Sequence, residues 1–239
     1  MSTGAIIGIV IGVGVGVICV VGILASMLLP ALARAKSKAN RIKCVNNLSS
    51  IGRGTLGFSQ DNNNRAPWQL TPSQRSNHFG TQDGTTAGHI FGLSAMKSEL
   101  QTAKILVSPC DAARMADNER LQAGWSNIDT KGGNPVTYGS SYIFCQGGDF
   151  QRPASVVALT RNLSSDNIAA GYWSGADESP IPANAMTGLN RSQGQLVRAD
   201  GSAMQSSEAD LGTAGRVVKG HINARGGFSK GPSSTDVIR

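Results

Sequence analysis

The sequence predicts an α+β fold in which one long N-terminal helix, half apolar and half amphipathic, packs on a small antiparallel sheet with long loops. Three observations support this fold class. Residues 5–29 contain no charged residue, residues 32–58 carry apolar side chains at helical spacing, and the remainder is rich in Gly, Ser, Asn, Thr and Gln. Such a composition is typical of β or α+β domains with many turns and few long helices.

The apolar run is long enough to cross a bilayer as a helix, at about 1.5 Å per residue. A cleaved secretory signal has a basic residue before a shorter apolar core and a small-residue cleavage box after it. No Lys or Arg precedes this run, and no such box follows it. We therefore predict a membrane-spanning or membrane-derived helix over residues 9–30.

Glycines recur every fourth residue in the first part of this helix, at Gly4, Gly8, Gly12 and Gly16, and so line one ridge. Each costs about 1 kcal/mol of helix propensity relative to Ala in water, so the repetition needs an explanation. Small-xxx-small patterns let helix backbones approach closely inside a membrane. The ridge predicts packing against copies of the same helix or a partner helix; the alternative is a β-branched span diluted by glycine.

Pro30 ends the apolar run and removes a backbone donor, which predicts a kink or local melting of the helix there. Beyond it, an apolar stripe with spacings of three or four continues for about seven turns. The stripe consists of Leu32, Ala35, Ala39, Ile42, Val45, Leu48, Ile51, Thr55 and Phe58. We predict an amphipathic stem over residues 31–62, lying under a β-rich head over residues 63–239.

The net charge of +7 is concentrated just after the apolar run, where five cations stand close together. They are Arg34, Lys36, Lys38, Arg41 and Lys43. A cationic cluster beside an apolar helix predicts contact with lipid headgroups. Nucleic acid is not an expected partner, because no aromatic-rich basic patch accompanies the cluster. Read alone, the positive-inside rule places the cluster and the head in the cytoplasm.

The head is expected to contain short strands separated by long loops. Strands are predicted over residues 141–145, 156–160, 195–199 and 202–205. Asp200 and Gly201 form the predicted hairpin turn between the last two, and residues 94–104 are predicted to be helical. The Gly/Ser-rich tail over residues 226–234 is expected to be flexible, or ordered only against a neighbouring subunit. Buried positions are expected for the three tryptophans.

Catalytic and metal-binding motifs are absent from the sequence, which has no HExxH, GxSxG or Walker A string, no CxxC pair and no DxDxDG loop. Most of the aspartates stand beside Gly or Asn, where turn formation is the expected role. The six aspartates expected to lie in turns are Asp61, Asp83, Asp111, Asp149, Asp177 and Asp200, of which all but Asp111 and Asp177 have such a neighbour. We predict a protein that is not an enzyme and that holds no metal and no cofactor.

Three strings resemble the N-terminal helix of type IV pilin-like proteins and type II secretion pseudopilins. They are LLPALARAK at 28–36, CVNNLSSIG at 44–52 and SQDNNNRAP at 59–67. They occur in the family's order, and the resemblance covers residues 8–67. The resemblance implies a pilin-like fold, with a helix that forms the core of a filament.

A second resemblance is to the H-X9-DG pilin-like proteins of planctomycetes and verrucomicrobia. Asp200 and Gly201 have the signature's spacing, with Asn190 in place of its histidine. The string VSPCD at 107–111 resembles the Cys-Pro-Ser-Asp box of the same proteins, with the order altered.

Family members are cut after a glycine by a dedicated peptidase. If Pro30 is aligned with the family's proline, the cut follows Gly8, residues 1–8 are the leader and Ile9 is the first mature residue. A cut after Gly4 is the alternative. The family's glutamate at the fifth mature position is Val13 here, and the leader has no Lys or Arg. These departures predict assembly by close packing along the glycine ridge in place of a salt bridge.

The resemblance also implies a disulfide between Cys44 and Cys110, because relatives have cysteines at both positions. A bridge between Cys110 and Cys145 is one alternative, and three buried thiols are the other. Cys19 lies in the apolar run, where it is expected to act as a small apolar residue.

The function that the resemblance implies is that of a structural subunit. It would reside in a bacterial inner membrane and then enter a periplasmic or extracellular filament or secretion pseudopilus. Its partners would be copies of itself, membrane lipid, minor pilin-like subunits and assembly machinery. The first alternative is a singly anchored receptor whose head binds a glycan or another surface ligand. The second, suggested by charge asymmetry alone, is a cytoplasmic-facing membrane adaptor.

Overall fold

The computed structural model describes residues 3–80, 84, 86–116, 125, 140–228 and 231–239. The chain divides into two compact units, Met1–Ala39 and Asn40–Arg239. One helix, α1 (Thr3–Asp61), contributes to both units. In the second unit it packs on a five-stranded antiparallel sheet, so the predicted α+β fold is confirmed.

Helix α1 is continuous across Pro30, so the local melting predicted there is not observed. Its end agrees with the prediction. Asn62 donates from its side-chain amide to the carbonyl oxygen of Phe58 at 2.9 Å. Asn63 and Asn64 then adopt φ values of 56° and 60°, a left-handed conformation that Asn tolerates better than most residues. The Asn run therefore turns the chain away from the helix axis.

The inner stripe of the stem is buried from Cys44 onwards, at Leu48, Ile51, Thr55 and Phe58. The buried stripe starts later in the chain than predicted, because Ile42, a predicted member of the stripe, is 54% exposed. The stem comes very close to the sheet at Gly52, where an added Cβ would lie 2.8 Å from Cγ2 of Val197. A glycine at this position lets the helix backbone contact a strand directly.

The sheet has the strand order β4-β3-β2-β1-β5, and every neighbouring pair is antiparallel. The strands are β1 (Tyr142–Cys145), β2 (Val156–Thr160), β3 (Gly194–Arg198), β4 (Ala203–Ser206) and β5 (Val237–Ile238). The first four confirm the predicted strands within about a residue at each end, with Asp200 and Gly201 in the turn between β3 and β4. Strand β5 was not predicted.

Both faces of the sheet are covered, which explains why its central strands read as continuous buried runs. On one face Phe144, Val157 and Val197 join the cluster that includes the stem. On the other face Leu159 and Leu196 pack with a second cluster around Trp173, which is completely buried.

Short helices surround this sheet. They are α2 (Pro72–Phe79), α3 (Ala87–Phe91), α4 (Ser94–Leu100), α5 (Ala112–Ala116) and α6 (Arg216–Asn223). The predicted helix over residues 94–104 is in fact two pieces. Helix α4 ends at Gln101, where φ is 57°, and a 3-10 turn (Ala103–Leu106) follows.

The C-terminal tail, defined here as residues 226–228 and 231–234, is hydrogen-bonded to the head within one chain, and the flexibility expected from its composition stays a prediction. Arg152, which is 1% exposed, holds it. The guanidinium donates to the carbonyl oxygens of Gly226 at 2.7 Å and Gly231 at 3.1 Å, and to the hydroxyl of Ser233 at 2.7 Å. The buried guanidinium thus donates hydrogen bonds to oxygen atoms of the tail, whose small side chains make few such contacts themselves.

Candidate functional site

The most unusual surface of the molecule is the apolar part of α1. Its large side chains between Val20 and Leu32 are all 56–71% exposed. They are Val20, Val21, Ile23, Leu24, Met27, Leu28, Leu29 and Leu32. Because consecutive positions belong to this set, the apolar surface runs around the helix and is not confined to one face.

Within the residues that the structure describes, one helix is long and apolar enough to cross a membrane. This N-terminal helix is compatible with membrane anchoring, and a signal sequence meets the same criteria of length and composition. The helix contains no acidic residue before Asp61.

The glycine ridge lies in α1. An added Cβ at Gly4 or Gly16 would meet no atom within 4 Å, so the helix surface is open at both positions. The surroundings of Gly8, Ile9 and Gly12 lie outside what the structure describes. The predicted ridge and processing sites therefore stay predictions.

The five cations predicted to contact lipid lie on the turns of α1 that follow Pro30. Arg34, Lys36, Lys38 and Lys43 are exposed, whereas Arg41 is half-buried. Arg41 differs from the others because its Nε is buried and has no hydrogen-bond partner among the described residues. Four of the five are thus available to solvent or headgroups, and the fifth turns towards the head.

The fold brings together Cys44 and Cys110, the two cysteines of the expected disulfide. Both residues are buried in one small cluster with Met186 and Leu189. All four cysteines of the chain are free thiols in the structure. The expected Cys44–Cys110 bridge therefore stays a prediction, and Cys145 lies in a different cluster.

Ser108 links the side chain of Cys44 to the backbone of Cys110. Its Oγ lies 2.6 Å from Sγ of Cys44 and accepts a hydrogen bond from the Cys110 backbone N–H at 3.0 Å. The neighbouring Cys110 side chain and the Ser108 hydroxyl lower the pKa of Cys44. The neighbouring Cys44 side chain, together with burial, raises the pKa of Cys110.

Cys145 lies near His221, but the two do not form a nucleophile and base. Nδ1 of His221 accepts from the Val156 N–H at 3.0 Å, and Nε2 donates to the Ser234 carbonyl oxygen at 2.7 Å. The imidazole is held neutral because burial lowers its pKa, and burial raises the pKa of Cys145 to about 12. Both groups therefore serve the fold by bonding the tail to the sheet.

Asp111 was expected to serve a turn and instead forms a buried ion pair. Its two carboxylate oxygens accept from Nε and Nη2 of Arg161 at 2.7 and 2.8 Å, and Ser141 donates to the same carboxylate at 2.9 Å. Arg161 also donates to three backbone carbonyl oxygens, those of Ala183, Asn184 and Ala185. The pair fixes the segment after Cys110 to the end of β2.

A cavity of about 260 Å³ lies beside this ion pair, with Tyr142 and Asn184 in its wall. Two of its arginines are engaged internally: Arg161 as described, and Arg239 with Asp166 and with backbone carbonyl oxygens. These guanidinium donors are therefore not directed at a ligand. Among the described residues, no group of three or more His, Cys, Asp or Glu side chains is arranged to hold a metal ion.

The three residues of the altered H-X9-DG signature are not brought together. Asn190 precedes β3, and Asp200 and Gly201 follow it, so the strand separates them. Asp200 accepts from the backbone N–H of Ser202 at 2.8 Å, which stabilises the hairpin turn. In this structure the signature residues therefore lie in the turns before and after β3 and do not form a common site.

Comparison with known proteins gives no assignment. No protein-family model, no curated protein and no solved structure matches the chain. The exposed apolar helix with its cationic end is thus the feature on which a functional conclusion rests.

Proposed function

We propose that this chain is a structural, pilin-like subunit that assembles through α1 into an extracellular filament or a secretion pseudopilus. The observation that carries the proposal is the exposure of every large apolar side chain between Val20 and Leu32. Apolar surface left in water costs about 25 cal/mol per Å². An apolar surface of this kind is expected to be buried against lipid or another protein. It lies on the same helix whose later turns pack against the head.

Before assembly, lipid provides the cover. The apolar run has the length of a bilayer crossing, and the exposed cations at Arg34, Lys36, Lys38 and Lys43 follow it at the depth of the headgroups. A bacterial inner membrane, with the head on its periplasmic side, is the location that fits a filament subunit. Minor pilin-like subunits and an assembly machinery are the further partners of such a protein.

In the filament, neighbouring copies of α1 provide the cover. The absence of carboxylates before Asp61 leaves no acidic partner within this segment for a neighbour's N-terminal ammonium. Close backbone contact along the glycine ridge takes that role, and the open surface at Gly4 and Gly16 is consistent with it.

The test of the proposal is electron microscopy of sheared or purified surface material, combined with N-terminal sequencing of the same material. Regular fibres that contain this chain support the proposal. A start at Ala5 or Ile9 identifies the processing site, and an intact Met1 shows that the chain is not cut. Monodisperse particles with no fibre under any condition that inserts the chain into membranes would contradict it.

The role of the ridge is tested by replacing Gly8, Gly12 and Gly16 together with Leu. Self-association in membranes should be lost, while insertion is retained because Leu is more apolar than Gly. Gly14→Leu is the matched control, since position 14 lies about 200° around the helix from position 12 and is off the ridge. Equal association of both variants and the unaltered chain would refute packing along the ridge.

A singly anchored receptor is the second candidate, and the replacement of the family's glutamate by Val13 favours it. The head cavity gives it little support, because Arg161 and Arg239 in its wall bond to the protein itself. Binding of glycans to the detergent-solubilised chain, in the absence of any fibre, is the outcome that would select this candidate.

A further inference from the structure

The two edges of the sheet differ in how their backbone is used. At one edge, β5 is covered on its outer side by residues 166–168. The Val237 N–H donates to the carbonyl oxygen of Asp166 at 2.9 Å, and the carbonyl oxygen of Thr235 accepts from Ile168 at 2.8 Å. At the other edge lies β4. Within the described part of the chain, the outer side of β4 makes no hydrogen bond to another segment.

The register of the β3–β4 hairpin fixes which backbone groups point outward. The hairpin closes with the Arg198 N–H donating to the carbonyl oxygen of Ser202 at 3.1 Å. Hydrogen-bonded and non-hydrogen-bonded pairs alternate in an antiparallel ladder, so Met204 also bonds to β3. Ala203 and Gln205 occupy the alternate positions, and their N–H and C=O groups point away from β3. Ala203 is half-buried and Gln205 is exposed, so these four backbone groups are accessible at the edge.

This edge lacks the features that usually keep an edge strand from pairing. Residues 201–207 contain no charged residue and no proline. The β3–β4 register is regular along its whole length, so no bulge turns the edge away. Soluble proteins commonly use charge, proline or a bulge for this purpose. The β4 edge is therefore a template on which another strand can be added.

The pattern of donors and acceptors on β4 is complementary to itself. If two copies of β4 pair antiparallel about Met204, Ala203 of each copy lies opposite Gln205 of the other. Each of these two pairs exchanges two backbone hydrogen bonds. The two Met204 side chains then meet beside the cluster around Trp173, where a flexible thioether fills irregular space well. No like charges come together, because the segment carries none.

We propose that the β4 edge is a docking surface for β4 of a second copy of this chain. The two five-stranded sheets join across a two-fold axis into one sheet of ten strands. A row of heads joined from β4 to β5 is disfavoured, because the outer side of β5 is already covered. The contact uses head residues alone and is separate from the packing of α1. It is small, so the association is weak and depends on concentration.

The first test is disulfide cross-linking of the full chain in detergent, in a Cys19→Ser background, because Cys19 is exposed and the other three thiols are buried. Across the two-fold axis the Cα atoms of position 204 lie about 4.5 Å apart, within the range that a disulfide spans. Met204→Cys should therefore give a covalent dimer under mild oxidation. Ser207→Cys is the matched control, since its two copies lie about 20 Å apart in this pairing. Equal dimer yields from both variants, or none from Met204→Cys, would overturn the inference.

The second test removes one of the outward donors. Gln205→Pro, added to Met204→Cys, deletes a backbone N–H that does not bond to β3, so the hairpin ladder is retained. The yield of covalent dimer should fall several-fold. Gln205→Ala in the same background keeps the N–H and should keep the yield. A proline variant that cross-links as well as the alanine variant would overturn the pairing.

The third test needs no variant. Amide hydrogen exchange of the unaltered chain in detergent is compared at low and high protein concentration. The amides of Ala203 and Gln205 should exchange several-fold more slowly at high concentration, whereas the Met204 amide, bonded to β3, is the internal reference. Equal rates at both concentrations would overturn the inference. A chain that passes these tests and forms no fibre refutes the filament proposal alone.

Discussion

The buried ion pair between Asp111 and Arg161 gives the most demanding test of how the head is stabilised. Asp111→Asn keeps the shape of the side chain and removes its charge. Asp111 is 0% exposed and the Arg161 side chain is 8% exposed. The substitution would leave a buried guanidinium with neutral carbonyl oxygens as its only partners. Breaking a buried pair by removing one partner costs about 3–5 kcal/mol, a large share of the 5–15 kcal/mol by which domains are typically stable.

The matched control is the ion pair of Arg191 and Glu208, whose atoms are 3.4 Å apart and whose side chains are 58% and 42% exposed. Glu208→Gln should change the free energy of unfolding by less than about 1 kcal/mol, because solvent screens the pair. The two variants make the same chemical change in opposite environments.

The assay is denaturant unfolding of the detergent-solubilised chain, followed by tryptophan fluorescence. Helix α1 contains no tryptophan, and Trp68 and Trp173 are buried in the head, so the signal reports on the head. A shift of the midpoint at constant slope gives the change in free energy. If Asp111→Asn and Glu208→Gln lower the free energy of unfolding equally, the reasoning from burial is wrong.

Three further predictions use the same measurement or hydrogen exchange. Gly194→Ala places a Cβ inside the Trp173 indole and should destabilise the head by about 1–3 kcal/mol, whereas Gly57→Ala, on an open helix surface, should stabilise it by about 0.5–1 kcal/mol; equal effects would contradict this. Burial lowers the pKa of His221, so the unfolded state takes up a proton that the folded state does not as the pH falls below about 6.5. The free energy of unfolding should therefore decrease below that pH, and His221→Gln should lack this part of the decrease; an unaltered pH profile would count against it. Arg152→Lys keeps the charge but loses the planar fork, so amide exchange in the C-terminal tail should accelerate while exchange in the central strands stays slow; a tail that remains protected would show that the fork is not needed.

The strands and the stem could be predicted because their signals are local. Alternation of turn residues with short apolar runs gave four strands within about a residue at each end. The run of asparagines gave the end of α1 at Asp61. Helix α2 also has a local sequence signal at its N-terminus. Thr71 caps it and Gln74 bonds back to the Thr71 backbone N–H at 3.1 Å, which is a capping box with proline in its first turn.

The roles of Asp111 and Arg152 could not be predicted, because their partners are distant in the sequence. An aspartate beside small polar residues has the same local pattern whether it ends in a solvated turn or in a buried ion pair. Asp111 finds its partner 50 residues later, and Arg152 finds its partners more than 70 residues later. Only the assembled sheet brings these groups together.

The pairing of Cys44 with Cys110 lies between these cases. The sequence offered three soluble cysteines and several pairings, and a resemblance selected one of them. The fold adds what the resemblance could not: the common cluster, the bridging Ser108 and the exclusion of Cys145, which bonds to the tail.

Strand β5 has a consequence for the order in which the protein is made. It forms one edge of the sheet by pairing with β1, which precedes it by more than 90 residues. The sheet therefore remains open at that edge until residues 237 and 238 have left the ribosome, long after α1 has emerged. The sheet of the head can therefore be completed only after the stem helix and the other four strands have been synthesised. A tag or fusion placed directly after Arg239 would be attached beside a structural strand, and a spacer is the safer choice for any labelled form of this protein.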